Sequence, residues 1–99
     1  MHTHKKDITH QGVSLEQASK AMIMIHGRGA NPASILGLAD YLKLEGFALL
    51  APAATQNTWY PYSFMAPVAQ NEPSLSSALE LVDQAVQEAI SAGIKAENI

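Results

Sequence analysis

A short turn between two apolar stretches carries the residues of this chain best suited to chemistry. His26-Gly27-Arg28-Gly29-Ala30 follows the apolar run Ala21 to Ile25, and glycines there let the backbone turn sharply while an N–H faces outward. Acyl transfer needs such a donor, because its tetrahedral intermediate carries a negative oxygen that a fixed N–H stabilises. Arg28 is the residue whose backbone N–H suits that role, with His26, Gly27 and Gly29 forming the supporting turn. A plainer reading stands beside this one, in which the two glycines only permit the turn. His26 invites assignment as a general base. It ends a buried run with no Ser, Asp or Glu beside it in a recognisable motif, and it reads better as a hydrogen-bonded structural residue.

Gly27-Arg28-Gly29 after a strand also has to be tested as a dinucleotide fingerprint. It fails at Pro32, where the third glycine is needed, and at Ala51-Pro52, where an acidic residue should receive the ribose hydroxyls. No Gly-Lys-Ser/Thr follows, so a P-loop is excluded as well. Trp59-Tyr60-Pro61-Tyr62 could wall an acyl or aromatic cleft, since such rings bury apolar area while keeping a polar tip; equally, the cluster could only pin its own loop. Glu72 before Pro73 is a charge suited to a helix N-terminus and not a catalytic acid. His2, His4, His10 and His26 form no His-x-x-x-His pair, so no metal or other cofactor is expected.

These residues need elements to hold them. Met1 to Lys6 is polar and reads as a solvated tail, and Asp7 to Val13 as a short edge strand, so residues 1–12 form a flexible tail and a possible strand. Ser14 with Gln17 three residues on has the spacing of a capped helical turn. Ala21 to Ile25 is apolar at every position, as in a strand of a parallel sheet covered on both faces. Asn31 as cap and Pro32 at the first helical position start a helix that Ile35, Leu38, Ala39 and Leu42 carry to Leu44, with Gly46 as its stop. Phe47 to Ala51 is a second buried strand, halted by Pro52. Strand, helix and strand form a right-handed βαβ unit.

Residues 52–73 hold no regular period but carry Trp59, Tyr60, Tyr62 and Phe64, four of the six aromatic side chains, which marks an ordered aromatic cleft loop. Leu75, Ala78, Leu79, Val82, Ala85, Val86, Ala89 and Ile90 then line one face of a long helix from Pro73 to Gly93, with Glu80, Asp83 and Glu88 on the solvated side. Asn98-Ile99 falls where the next strand of an α/β alternation would begin.

Hydrophobic residues at 47% and charged residues at 15% describe a chain built around a core, and a net charge of -3 with scattered lysines and arginines offers no footprint for nucleic acid. No apolar run nears the ~20 residues of a membrane span and no signal peptide opens the chain, so the expected location is cytoplasmic. A chain of 99 residues buries only about 60 to 65% of its unfolded surface, which makes independent stability marginal.

The apolar strand, His26-Gly27-Arg28-Gly29, the helix, the second strand and Thr58-Trp59-Tyr60 in the following loop together resemble the phospholipase/carboxylesterase family of α/β-hydrolases, which includes acyl-protein thioesterases. The resemblance runs from about Gly12 onward. It implies that residues 1–99 are the N-terminal half of an α/β-hydrolase fold, a parallel sheet flanked by helices in three α/β/α layers. It implies a serine esterase or thioesterase acting on small-molecule esters or thioesters, with the Arg28 N–H as the first oxyanion donor and Trp59 and Tyr60 at the substrate cleft. Eukaryotic thioesterases of the family usually have an aliphatic residue where Arg28 stands, a difference that leaves the backbone donor in place. The G-x-S-x-G nucleophile elbow and the Asp and His of the triad lie beyond Ile99 by this comparison, so the 99 residues contain no catalytic residue. The absent neighbour of Ala21 to Ile25 would leave a strand edge open, and the expected consequence is aggregation or a homodimer. A non-catalytic binding protein that uses this open edge is the alternative.

Overall fold

The structure, a computed structural model, describes residues 3–99. Its sheet has three strands: β1 (Ile8–Gly12), β2 (Lys20–Ile23) and β3 (Phe47–Pro52), in the order β1-β3-β2. The parallel pair expected from the βαβ pattern forms between β2 and β3, with Ala21 opposite Ala48 and Ile23 opposite Leu50. The sheet is mixed, however, because β1 runs antiparallel to β3 and pairs Ile8 with Pro52 through Gly12 with Ala48. β3 is apolar throughout because it is the central strand. Its alternate residues enter two separate clusters, as a two-residue period requires. Ala48 and Leu50 meet Ala21, Ala89 and Ile94, whereas Leu49 and Ala51 meet Met24 and Leu36.

Gly12 closes β1 at φ +73, and a β-carbon there would stand 2.6 Å from the Phe47 carbonyl oxygen and 3.1 Å from Leu49 Cγ. Val13 N–H then bonds the same carbonyl at 3.0 Å. Gly12→Ala should therefore destabilise the fold by about 2 kcal/mol through left-handed strain and backbone displacement, as read from denaturant unfolding.

Three expectations need correction. The first helix does not reach Leu44: α1 covers only Pro32–Leu36, and a 3-10 turn, Gly37–Tyr41, continues from it. The Asn31 cap is formed, with its side chain accepting from Ser34 N–H. Gly37, the poorest propagating residue short of proline, sits where the next turn would begin, and Leu38 and Leu42 face water instead of the core. The second helix forms as α2 (Ser74–Ser91), but its inward stripe is Ser74, Ala78, Leu81, Ala85 and Ala89. Leu79 and Ile90, expected inside, are 65% and 40% exposed. Small residues at four of the five inward positions let the helix lie close to the sheet, and this rotates the contact face toward Leu81. The C-terminal residues form a 3-10 turn, Ala96–Asn98, not a strand, with Ile99 against the Ala21 cluster.

The run after β2 also leaves the sheet earlier than its apolarity suggests. Met24 N–H still bonds the Leu50 carbonyl at 2.9 Å, whereas Ile25 is exposed. The chain departs there and delivers His26 to the end of the central strand.

Candidate active site

Gly27 to Ala30 form a β-turn closed by Ala30 N–H to the Gly27 carbonyl at 3.1 Å. Gly29, the third residue, has φ +77, the left-handed value that a type II turn demands at that position. Its N–H is taken by the Asn57 carbonyl at 2.7 Å. The N–H of Arg28, at the first central position, makes no hydrogen bond among the described residues. The turn thus leaves the Arg28 donor on an exposed corner and commits the next two.

The Arg28 side chain bends back over the aromatic loop. Its guanidinium donates to the carbonyls of Pro61 at 3.3 Å and Tyr62 at 2.8 Å and lies 5.3 Å from the centroid of the Tyr60 ring. Turn and loop are therefore clasped twice, by Gly29 to Asn57 and by Arg28 to residues 60–62. Asn71, buried under the loop, accepts from Tyr62 N–H at 2.8 Å and donates to the Ser63 carbonyl at 3.2 Å. Beyond it Tyr62, Phe64, Met65 and Val68 stand out from the surface.

His26 is 2% exposed and both ring nitrogens are committed to the backbone. Nδ1–H donates to the Gly27 carbonyl at 2.8 Å and Nε2 accepts from Ala54 N–H at 3.0 Å. These partners fix the Nδ1–H tautomer and leave no nitrogen for proton transfer. Trp59 stacks on the ring, with centroids 4.9 Å apart, and its indole N–H donates to the His26 carbonyl at 2.8 Å. The structure therefore brings together His26, Gly27, Arg28, Gly29, Trp59 and Tyr60. Half-buried Trp59 holds the loop against the strand end with one face of its ring.

Sequence reasoning missed two members of this cluster. Asn57, at φ 60 beside Gln56 at φ 59, presents its carbonyl to Gly29 from a conformation that only a few side chains tolerate. His4 is not in a solvated tail. Its ring accepts from Thr55 N–H at 3.0 Å and donates to the Trp59 carbonyl at 2.8 Å. Both depend on contacts between distant segments and carry no periodic signal. His10 instead pairs with Glu88 at 3.0 Å, which also receives Lys6, and His2 lies outside the described residues. Among the described residues no three His, Cys, Asp or Glu side chains converge, and no helix is long and apolar enough to cross a membrane. Glu72, read as a helix-end charge, accepts from the Ser76 hydroxyl at 2.9 Å and Ser76 N–H at 3.3 Å in the first turn of α2.

No family model matches the chain, and no curated protein does. Solved structures do. A phospholipase/carboxylesterase from Dyadobacter fermentans DSM 18053 is 54% identical and superimposes with a TM-score of 0.98, over 100% of this chain and 47% of its own. The chain spans about half the length of that relative.

Proposed function

Since the chain belongs to the phospholipase/carboxylesterase family along its whole length, we propose that it is part of a serine hydrolase cleaving small carboxylic esters or thioesters through an acyl-enzyme. The observation that carries the reading is the unpaired Arg28 N–H on an exposed turn whose next two donors, Gly29 and Ala30, are engaged. In this reading that N–H receives the oxyanion, and Trp59 and Tyr60 wall the cleft where the acyl group lies. The nucleophilic serine, its Asp and His partners and the second oxyanion donor belong to the half of the family's length that this chain does not span. The 99 residues alone are then inactive. The three-layer arrangement of an α/β-hydrolase, with the sheet continuing beyond β2, goes with the same reading, as does a cytoplasmic location.

Hydrolysis of a p-nitrophenyl ester and of an acyl thioester by the natural protein tests this. Turnover of either substrate supports the reading; no turnover of both contradicts it.

The outermost position of β2 favours a second use of the chain, as a binding module that takes a strand on its open edge. The same edge predicts how the isolated 99 residues behave. They should dimerise or aggregate, because an unpaired apolar strand is a template for another chain. A monomer in sedimentation, with cooperative unfolding, is the contrary result.

A further inference from the structure

Between Thr55 and Trp59 the loop makes a kink at Gln56 and Asn57, with φ 59 and 60. Side chains other than glycine occupy that region only where their surroundings hold them. One side chain spans the kink. The His4 imidazole accepts from Thr55 N–H at 3.0 Å on its near side and donates Nε2–H to the Trp59 carbonyl at 2.8 Å on its far side. Its ring also lies 5.5 Å from the indole. His4 is itself anchored to α2, since its N–H donates to Ser77 Oγ at 2.7 Å, and Lys5 N–H adds a bond to the Thr55 hydroxyl at 2.9 Å. The preceding amide, Ala54, is held by His26. Consecutive backbone amides are thus fixed by two imidazoles, and Trp59 touches both rings. The kinked Asn57 in turn carries the carbonyl that bonds Gly29, next to Arg28.

We propose that His4 is a positioning residue: its imidazole bridges the Thr55–Trp59 kink, holding Trp59 against His26 and the Asn57 carbonyl against the Arg28 turn. The segment before β1 is then a strap of the site. Its bearing on substrate rests on the reading of the loop as a cleft wall, while the bridge itself does not.

The test uses His4→Ala, His4→Asn and His4→Gln in the natural protein. Asn keeps an acceptor near the Nδ1 position, and Gln keeps a donor near the Nε2 position. Loss of the bridge in His4→Ala should speed exchange of the Thr55 amide roughly tenfold and shift Trp59 emission to the red, with the Ala54 amide unaffected. His4→Asn should restore Thr55 protection alone, and His4→Gln the Trp59 emission alone. For ester hydrolysis, His4→Ala should raise KM several-fold with kcat changed less, as lost ground-state binding does. Unchanged Thr55 exchange and Trp59 emission in His4→Ala would overturn the proposal. So would equal loss of Ala54 and Thr55 protection, or Asn and Gln variants that behave alike. If the Ala variant does not fold, the Asn and Gln pair decides the matter. Exchange and emission responses without any ester turnover would uphold the bridge and remove the hydrolase reading.

Discussion

Arg28→Pro in the natural protein should lower kcat for ester hydrolysis by about 10² to 10³, the usual loss when one oxyanion donor is removed. Proline suits the first central position of a type II turn, and Gly27 before it tolerates the restriction that proline imposes. Gly29 keeps its left-handed conformation and its bond to Asn57. What disappears is the N–H that makes no hydrogen bond within the described chain, together with the guanidinium clasp on Pro61 and Tyr62. Arg28→Ala separates the two losses. It keeps the donor and releases only the clasp, which is exposed and worth about 1 kcal/mol of stability. Its kcat should remain within about tenfold of the parent, with Trp59 emission reporting a looser loop. Steady-state kinetics of the two variants, beside their unfolding midpoints, give the comparison. Equal kcat in Pro and Ala variants would mean that the Arg28 N–H is not the donor.

Leu50→Ala should be the most destabilising single change, costing about 2 to 5 kcal/mol. Leu50 is wholly buried on the central strand, in contact with the cluster that joins Ala21, Ala89 and Ile94. Three of the four buried residues that share its cluster, Ala21, Ala48 and Ala89, are alanines, which cannot extend into the vacated space. The resulting cavity compares with a total stability of about 5 to 15 kcal/mol for a domain of ordinary size. Denaturant unfolding should show either a much lower midpoint or no folded baseline. Leu79→Ala makes the control. That residue, apolar but 65% exposed, should cost less than about 1 kcal/mol.

The contrast between Leu50 and Leu79 shows what the amino-acid sequence could and could not convey. The two apolar strands, the turn between strand and helix and the long helix all announce themselves, because each is bounded by Gly or Pro and filled by a characteristic pattern. The inward face of α2 was less legible. Its contact is made by Ser74 and three alanines around Leu81, and small residues that permit close approach look unremarkable beside Leu79, Val82 and Ile90. In α1 the apolar spacing ran on to Leu42, but Gly37 cut the α-helix short, and spacing alone does not reveal which tendency prevails. β1 was readable as a strand though not as an antiparallel partner of β3, since register and direction depend on a connection that closes elsewhere.

The candidate site divides in the same way. Arg28, with the glycines on either side, and Trp59 could be picked out from residue type and position in the chain. The bonds that join them could not. His4 to Trp59, His26 to Ala54, Asn57 to Gly29 and Asn71 to Tyr62 each link a side chain or kinked backbone to a distant main-chain group. Such bonds satisfy buried polar groups wherever folding brings them, and they impose no spacing on the sequence.

In the function proposed above, this chain supplies the first oxyanion donor and cleft wall of a serine hydrolase, and the nucleophile lies outside these residues. Labelling the natural protein with a fluorophosphonate and mapping the adduct by peptide mass spectrometry tests it directly. The expected result is one modified serine, in a G-x-S-x-G segment beyond Ile99, with none of the serines from Ser14 to Ser91 labelled. A natural protein that remains unlabelled while folded, or that carries the adduct on a serine within these 99 residues, would contradict it.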